Sequence, residues 1–416
     1  MSTVDRRKNH LPPTLKLKNM KMLVYVLNGI GAFPWEAFRE RRPFLLFITY
    51  FMPFETLFVV YMLTNFVYHN VRVTDLATRS QCAITLILQC CQLIRTTRRL
   101  LPAYGYVFKT FFEKNHLYYL KDVSPFHNDI YNKVEKMTNF YTYVEIFFII
   151  MLPGSMVAIN VFVNYQNGLF SPNPPANVTW SRISYWKLPF IDTEPNIYIY
   201  LTIEYLGSQI CALSTLQLDL VIAVLVFHLI GHIVVMVHEV ETLEVPVDEA
   251  AEAQQLVYND EQNKILSDKI VRVVHHHVDV IAFCDMISDF SGVPVMCNYF
   301  YQLVCGCLLL ILTTSMDFKS AAQFTVITAS TFTELVVISF IFEMVVITSK
   351  NLPHALYSSA WEKASCRNRR SVFLMLLRMQ QPLQVKGLDI VTFGFDTMIA
   401  ILKTTFSYFI FLRSFT

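Results

Sequence analysis

The chain has 416 residues, 54% of them hydrophobic and only 16% charged, and its formal net charge at pH 7 is +2. With a mean hydropathy of +0.40, this composition excludes an ordinary soluble globular domain and a nucleic-acid-binding surface, and points to a polytopic membrane protein. A near-neutral total says little by itself; the placement of the charges says more.

Residues 1–42 are basic, with Arg6, Arg7, Lys8, Lys16, Lys18 and Lys21 ahead of an apolar run, 22–33. That pattern predicts a short cytoplasmic helix at the inner interface, its basic side against anionic membrane lipids. No secretory signal is legible there, so insertion relies on the first span. Apolar stretches long enough, or nearly so, to cross about 30 Å of hydrocarbon occur seven times. They are 44–66, 80–94, 140–163, 197–237, 294–316, 324–347 and 390–412. The second has a short core, confined between Arg79 and Arg95. The fourth holds no Lys, Arg or Pro and no Gly cluster, which predicts one long tilted helix projecting into the cytoplasm.

The connection 165–196 carries Pro172, Pro174, Pro175, Trp180 and Trp186, the composition of a stiff lid anchored by aromatics over an outer cavity. Its Asn177-Val178-Thr179 is an N-glycosylation sequon. The segment 239–268 is acidic and polar and reads as a loop. From 265 to 288, Ile265, Ile270, Val273, Val274, Val278, Ile281 and Phe283 recur at helical spacing, predicting a cytosolic amphipathic helix that leads into span five. A second such helix is predicted over 353–382. Neighbouring subunits around an axis supply surfaces for both apolar faces.

The segments before span one and between spans two and three, four and five, and six and seven hold 27 of the 34 Lys and Arg. Short cytoplasmic loops accumulate these residues, so the N-terminus is expected inside and the C-terminus outside. A G-protein-coupled receptor has the opposite orientation. The nine Cys lie mostly within spans and read as buried free thiols. His275, His276 and His277 are consecutive and point in three directions, so no metal site is expected. No catalytic or phosphate-binding motif is legible, hence no enzyme and no cofactor. Glu55, Glu145, Glu204, Asp219, Glu334, Glu343, Asp396 and Lys403 fall within spans, where ionisable groups are functional suspects by default.

In span seven, Thr397, Ala400, Thr404, Ser407, Phe411 and Ser414 fall within about 100° of arc on one helical face. A hydroxyl-lined face with one bulky aromatic near its outer end suits a hydrophobically gated, water-filled pore. Small residues that let helices approach closely produce the same stripe.

Ala355, Tyr357, Trp361, Arg369, Arg370, Arg378, Gln380, Pro382 and Gly387, followed by Phe395 and Ser407-Tyr408-Phe409, resemble the C-terminal signature of insect odorant receptors. Gly31 and Phe33-Pro34 are similar to an N-terminal element of the same family. The resemblance implies an all-α membrane protein with seven transmembrane helices. It also implies a ligand-gated, non-selective cation channel in the plasma membrane of olfactory sensory neurons, four subunits around a pore lined by the seventh helices, with Phe411 at the gate. The shared co-receptor of the family has a much longer loop between spans four and five, so this chain looks like a tuning subunit that joins that co-receptor in a heterotetramer.

On this reading residues 1–42 form the cytoplasmic segment, 43–349 spans one to six with an outer pocket, 350–389 a cytosolic anchor, and 390–416 the pore helix. The anchor residues are Tyr357, Trp361, Arg378 and Pro382. The pocket would select a small volatile molecule chiefly by shape and dispersion against Phe148, Met151, Tyr198, Tyr205, Phe324 and Phe332. Thr85, Ser155, Gln209 and Thr328 would fix one ligand oxygen. The competing reading is a monomeric seven-helix receptor or transporter without a pore.

Overall fold

The computed structural model is almost entirely helical and describes residues 11–414 apart from 71–75, 172, 174, 176–177, 179, 187–195, 244–256, 316–317 and 360. Long helices follow one another in chain order: α2 (Pro43–Asn70), α3 (Leu76–Arg98), α5 (Pro125–Gln166), α6 (Ile197–Glu241), α7 (Asp260–Ser315), α8 (Phe318–Ser349) and α11 (Phe395–Arg413). Six of these seven are long and apolar enough to cross a membrane. The seventh, α3, has a short apolar core, but its 23 residues reach about 35 Å at about 1.5 Å per residue. Pro53, Pro153 and Pro294 lie inside α2, α5 and α7, which neighbouring membrane helices tolerate.

At one end the long helices continue into a bundle with the short helices α1 (Lys18–Asn28), α4 (Pro102–Thr110), α9 (Asn351–Tyr357) and α10 (Cys366–Met379). This is the end that carries most of the Lys and Arg. Most of the fully buried large side chains sit here, among them Met20, Leu27, Phe112, Leu220, Leu229 and Phe283. The N-terminal helix buries its apolar face on protein. Met20, Leu23, Val24 and Leu27 of α1 are buried in the shared core, while Lys16, Lys18 and Lys21 stay exposed.

Two boundaries differ from expectation. The amphipathic helix at 265–288 and span five are one helix, α7, which already begins at Asp260. The single helix expected over 353–382 is broken into α9, a short turn at Trp361–Lys363, and α10. Hydroxyl and amide side chains explain the break, since they offer the backbone partners outside a helix. Ser365 caps α10 by accepting from Asn368 N–H, and the Ser365 N–H donates to Asn263 Oδ1 of α7 at 2.7 Å.

His276 is the member of the consecutive His trio that enters a network, bonding Glu239 at 2.7 Å and approaching His232 at 3.3 Å. Among the described residues no group of three or more His, Cys, Asp or Glu has metal-binding geometry. Next to this network His116 is pushed down to about 3 by burial, beside the ring of His228 at 4.2 Å.

A two-residue antiparallel ribbon, β1 (Lys386–Gly387) and β2 (Val391–Thr392), turns the chain into α11. Gly387 leaves room there for two side chains: a Cβ would lie 2.7 Å from Phe393 Cζ and 2.8 Å from Met296 Sδ, so both would have to shift.

Candidate functional site

Toward the end away from the basic bundle, α2, α3, α5, α6, α7 and α8 surround a cavity of about 500 Å³. Its walls are mainly apolar, with Phe58, Ile84, Leu88, Phe148, Ile203 and Phe324 among the lining side chains. A concave volume of this size, largely apolar, is the usual form of a small-molecule site.

The segment 180–186 straps the open end. Arg182, 6% exposed, donates from Nε to Glu204 Oε1 of α6 at 2.6 Å and makes a second guanidinium contact with the same carboxylate. Its guanidinium also lies 5.0 Å from the Tyr200 ring and 5.8 Å from the Trp186 ring. Gln81 of α3 donates to the carbonyls of Arg182 (2.9 Å) and Ile183 (2.6 Å). Asn164 of α5 clasps Ser181 through both backbone groups, at 2.8 and 2.9 Å. The strap is thus fastened to three helices by buried polar contacts, which are strong only while every partner is in place. Trp180 packs on Phe170 at 5.3 Å and Trp186 on Tyr200 at 5.2 Å.

Five carboxyl-bearing residues line the cavity: Glu55, Glu145, Glu204, Asp219 and Glu334. Glu334 Oε1 accepts from Asn298 Nδ2 at 2.7 Å. Asp219 lies within electrostatic reach of Glu334, Arg95 and Glu145.

Of the ten side chains expected at a pocket, Thr85, Phe148 and Phe324 line this cavity. The other seven are outside its lining. Met151, Tyr198 and Tyr205 are exposed on the outer faces of their helices. Ser155 donates to Leu152 O, and Gln209 is half-buried. Thr328 faces Thr313 of α7 at 3.2 Å. Phe332 stacks on Phe406 of α11, 6.2 Å between centroids. Aromatic residues occur on every face of these helices, so hydrophobicity alone does not orient them. The signal that does is charge, because a carboxyl group in a span turns away from lipid.

Helix α11 packs on α7 and α8 through Met398, Ile401, Leu402 and Thr405, with Thr405 against Gly306. The stripe Thr397, Ala400, Thr404, Ser407, Phe411 and Ser414 lies to one side of that seam and is exposed or half-buried, Phe411 at 58%. Within this chain the stripe is not the packing face. Thr404 and Ser407 donate to the carbonyls four residues back, at 2.8 Å each, so their hydroxyls leave no donor unpaired. Glu343 of α8 accepts from the Phe395 N–H at 3.0 Å and clasps the start of α11. A Cβ at Gly394 would stand 2.6 Å from Glu343 Oε2, so glycine is what lets the clasp close.

On the bundle side, Tyr357 is exposed and Trp361 is half-buried against the core, its indole N–H on Tyr357 O at 3.1 Å. Arg378 donates to Gln381 at 3.2 Å, and Pro382 is half-buried. Helix α10 buries Val372, Met375 and Met379 yet leaves Phe373, Leu374 and Leu377 exposed. These three were missed in the sequence. An apolar second face, more than one packed side requires, is their signal. Asn177 lies outside the described residues.

A family model described as 7tm Odorant receptor matches residues 108–406. The chain is 20% identical over 147 residues to Odorant receptor 67a and 21% identical over 247 residues to Odorant receptor 43b, both of Drosophila melanogaster. These alignments cover 35% and 58% of this chain, and the chain spans 36% and 57% of the two relatives' length. In fold it is similar to the insect olfactory receptor OR5 from Machilis hrabei, with a TM-score of 0.74 at 15% identity over 95% of this chain and 98% of that one. The same receptor in complex with eugenol gives a TM-score of 0.73 at 16% identity, over 97% and 99% of the two chains.

Proposed function

The chain belongs to the 7tm odorant receptor family, and from that premise we propose that it is an odorant receptor subunit whose ligand is a small volatile molecule held in the cavity. It is a multi-pass membrane protein and not an enzyme. The observation that carries the reading is the cavity of about 500 Å³ with the strap at 180–186 fastened across one end. The similar receptor OR5 is described with eugenol bound, in keeping with a ligand of that size here.

Gly207 supplies the test. It lines the cavity, and nothing stands within 4 Å of the Cβ that a substitution would add. Gly207→Phe should therefore abolish responses across a panel of volatiles while protein yield stays near wild type. Unchanged responses would place ligand recognition elsewhere.

We further propose a ligand-gated cation channel with the N-terminus inside and the stripe of α11 facing a pore shared by four subunits, among them a co-receptor. The exposed position of that stripe supports this, as does the exposed apolar face of α10. Asn177 would then lie outside as a glycosylation site. Leu374→Asp and Leu377→Asp place a carboxylate in an apolar contact, at a cost of about 2 kcal/mol or more for each interface. Each should shift the complex to smaller species by size-exclusion chromatography in detergent. Normal assembly would remove α10 from the interface.

A further inference from the structure

We propose that the cavity takes a small hydrophobic amine, its ammonium group held by Asp219 and Glu145 at the deep end while its hydrocarbon part fills the apolar walls. The inference rests on the cavity being the ligand site.

The charge balance of the lining is one-sided. Five of its residues carry carboxyl groups, and no Lys or Arg is among the described residues that line it. Glu204 is answered by Arg182 and Glu334 in part by Asn298, while Glu145 leans on the Tyr141 hydroxyl and Asp219 on the Glu334 carboxyl, neither of which brings a positive charge. At the deep end, Asp219 and Glu145 are 4% and 7% exposed. Among the described residues Asp219 Oδ2 and Glu145 Oε2 have no hydrogen-bond partner. Arg95, buried behind the lining, is an opposing charge within reach of Asp219.

Buried acceptors of this kind are stabilised by a donor, and most of all by a charged one. An ester or ketone has only lone pairs to offer, so it can engage a carboxyl group that keeps its proton but brings no charge to an ionised one. A carboxylic acid adds a like charge. An alcohol supplies one O–H. A primary ammonium supplies three N–H donors and a positive charge that the low-dielectric surroundings make more effective. If the amine enters as the free base, its nitrogen takes the proton of one carboxyl group, and the result is the same ammonium–carboxylate pair.

The test uses the purified full chain and two nearly isosteric probes, 2-phenylethylamine and 2-phenylethanol, with binding read from the ligand-induced shift in thermal unfolding. The amine should bind at least about tenfold more tightly than the alcohol, the scale of a charge-assisted over a neutral hydrogen bond. Asp219→Asn and Glu145→Gln should each weaken amine binding more than alcohol binding and so remove most of that preference. Should Asp219→Asn fail to fold, Glu145→Gln and Glu334→Gln carry the comparison. Equal binding of the two probes, or an amine preference that survives all three substitutions, overturns the inference. Alcohol binding without amine binding overturns it and leaves the cavity as the ligand site. Binding of neither probe overturns both readings.

Discussion

Replacing Arg182 by Ala should destabilise the protein by about 3–5 kcal/mol, because it strands the Glu204 carboxylate in a site where that residue is only 4% exposed. The loss should appear as a lower midpoint of thermal unfolding in detergent and as weaker ligand binding, since the strap over the cavity loses its central fastening. Removing both partners is gentler than removing one. The double change Arg182→Ala with Glu204→Ala should therefore recover much of the lost midpoint, and the recovery measures the coupling between the two groups. A single variant as stable as wild type would mean that the ion pair does not hold the strap.

The second large effect is expected at Phe411. If the stripe of α11 faces the axis of an assembly, the rings of Phe411 form an apolar constriction that expels water when closed. Phe411→Ser should then raise ligand-free current several-fold in cells expressing the assembly. Thr404→Cys and Ser407→Cys should react with a water-soluble thiol reagent chiefly when ligand is present. Thr405→Cys is the control, because that position is fully buried against α7. Equal reactivity at Thr404 and Thr405, together with unchanged basal current in Phe411→Ser, would make the stripe a packing seam.

How far these features were legible in the sequence differs from element to element, for physical reasons. The spans were readable because a hydrocarbon slab demands runs of apolar residues, and the unbroken α6 followed from the lack of breakers in its middle. The break between α9 and α10 was not readable. It depends on Asn263, about a hundred residues away, offering a partner to Ser365. Within the pocket the aromatic candidates divided almost by chance, Phe148 and Phe324 inward, Tyr198 and Tyr205 outward. Membrane helices carry apolar side chains on both their lipid and protein faces. The intramembrane acids behaved differently. Five of those singled out by sequence converge on one cavity and a sixth, Glu343, clasps α11.

Helix α8 has Phe324 and Glu334 in the cavity wall and Glu343 on the first N–H of α11. It is a single unbroken helix between those points, so the cavity and the root of the last helix are fixed to one stiff rod. A shift of the rod at either end is delivered to the other. Coupling of this kind obeys reciprocity: whatever free energy a bound molecule contributes to moving α11, an agent that immobilises α11 returns as an equal change in that molecule's affinity. The grip on a ligand thus becomes a gauge of the state of a helix that the ligand never touches.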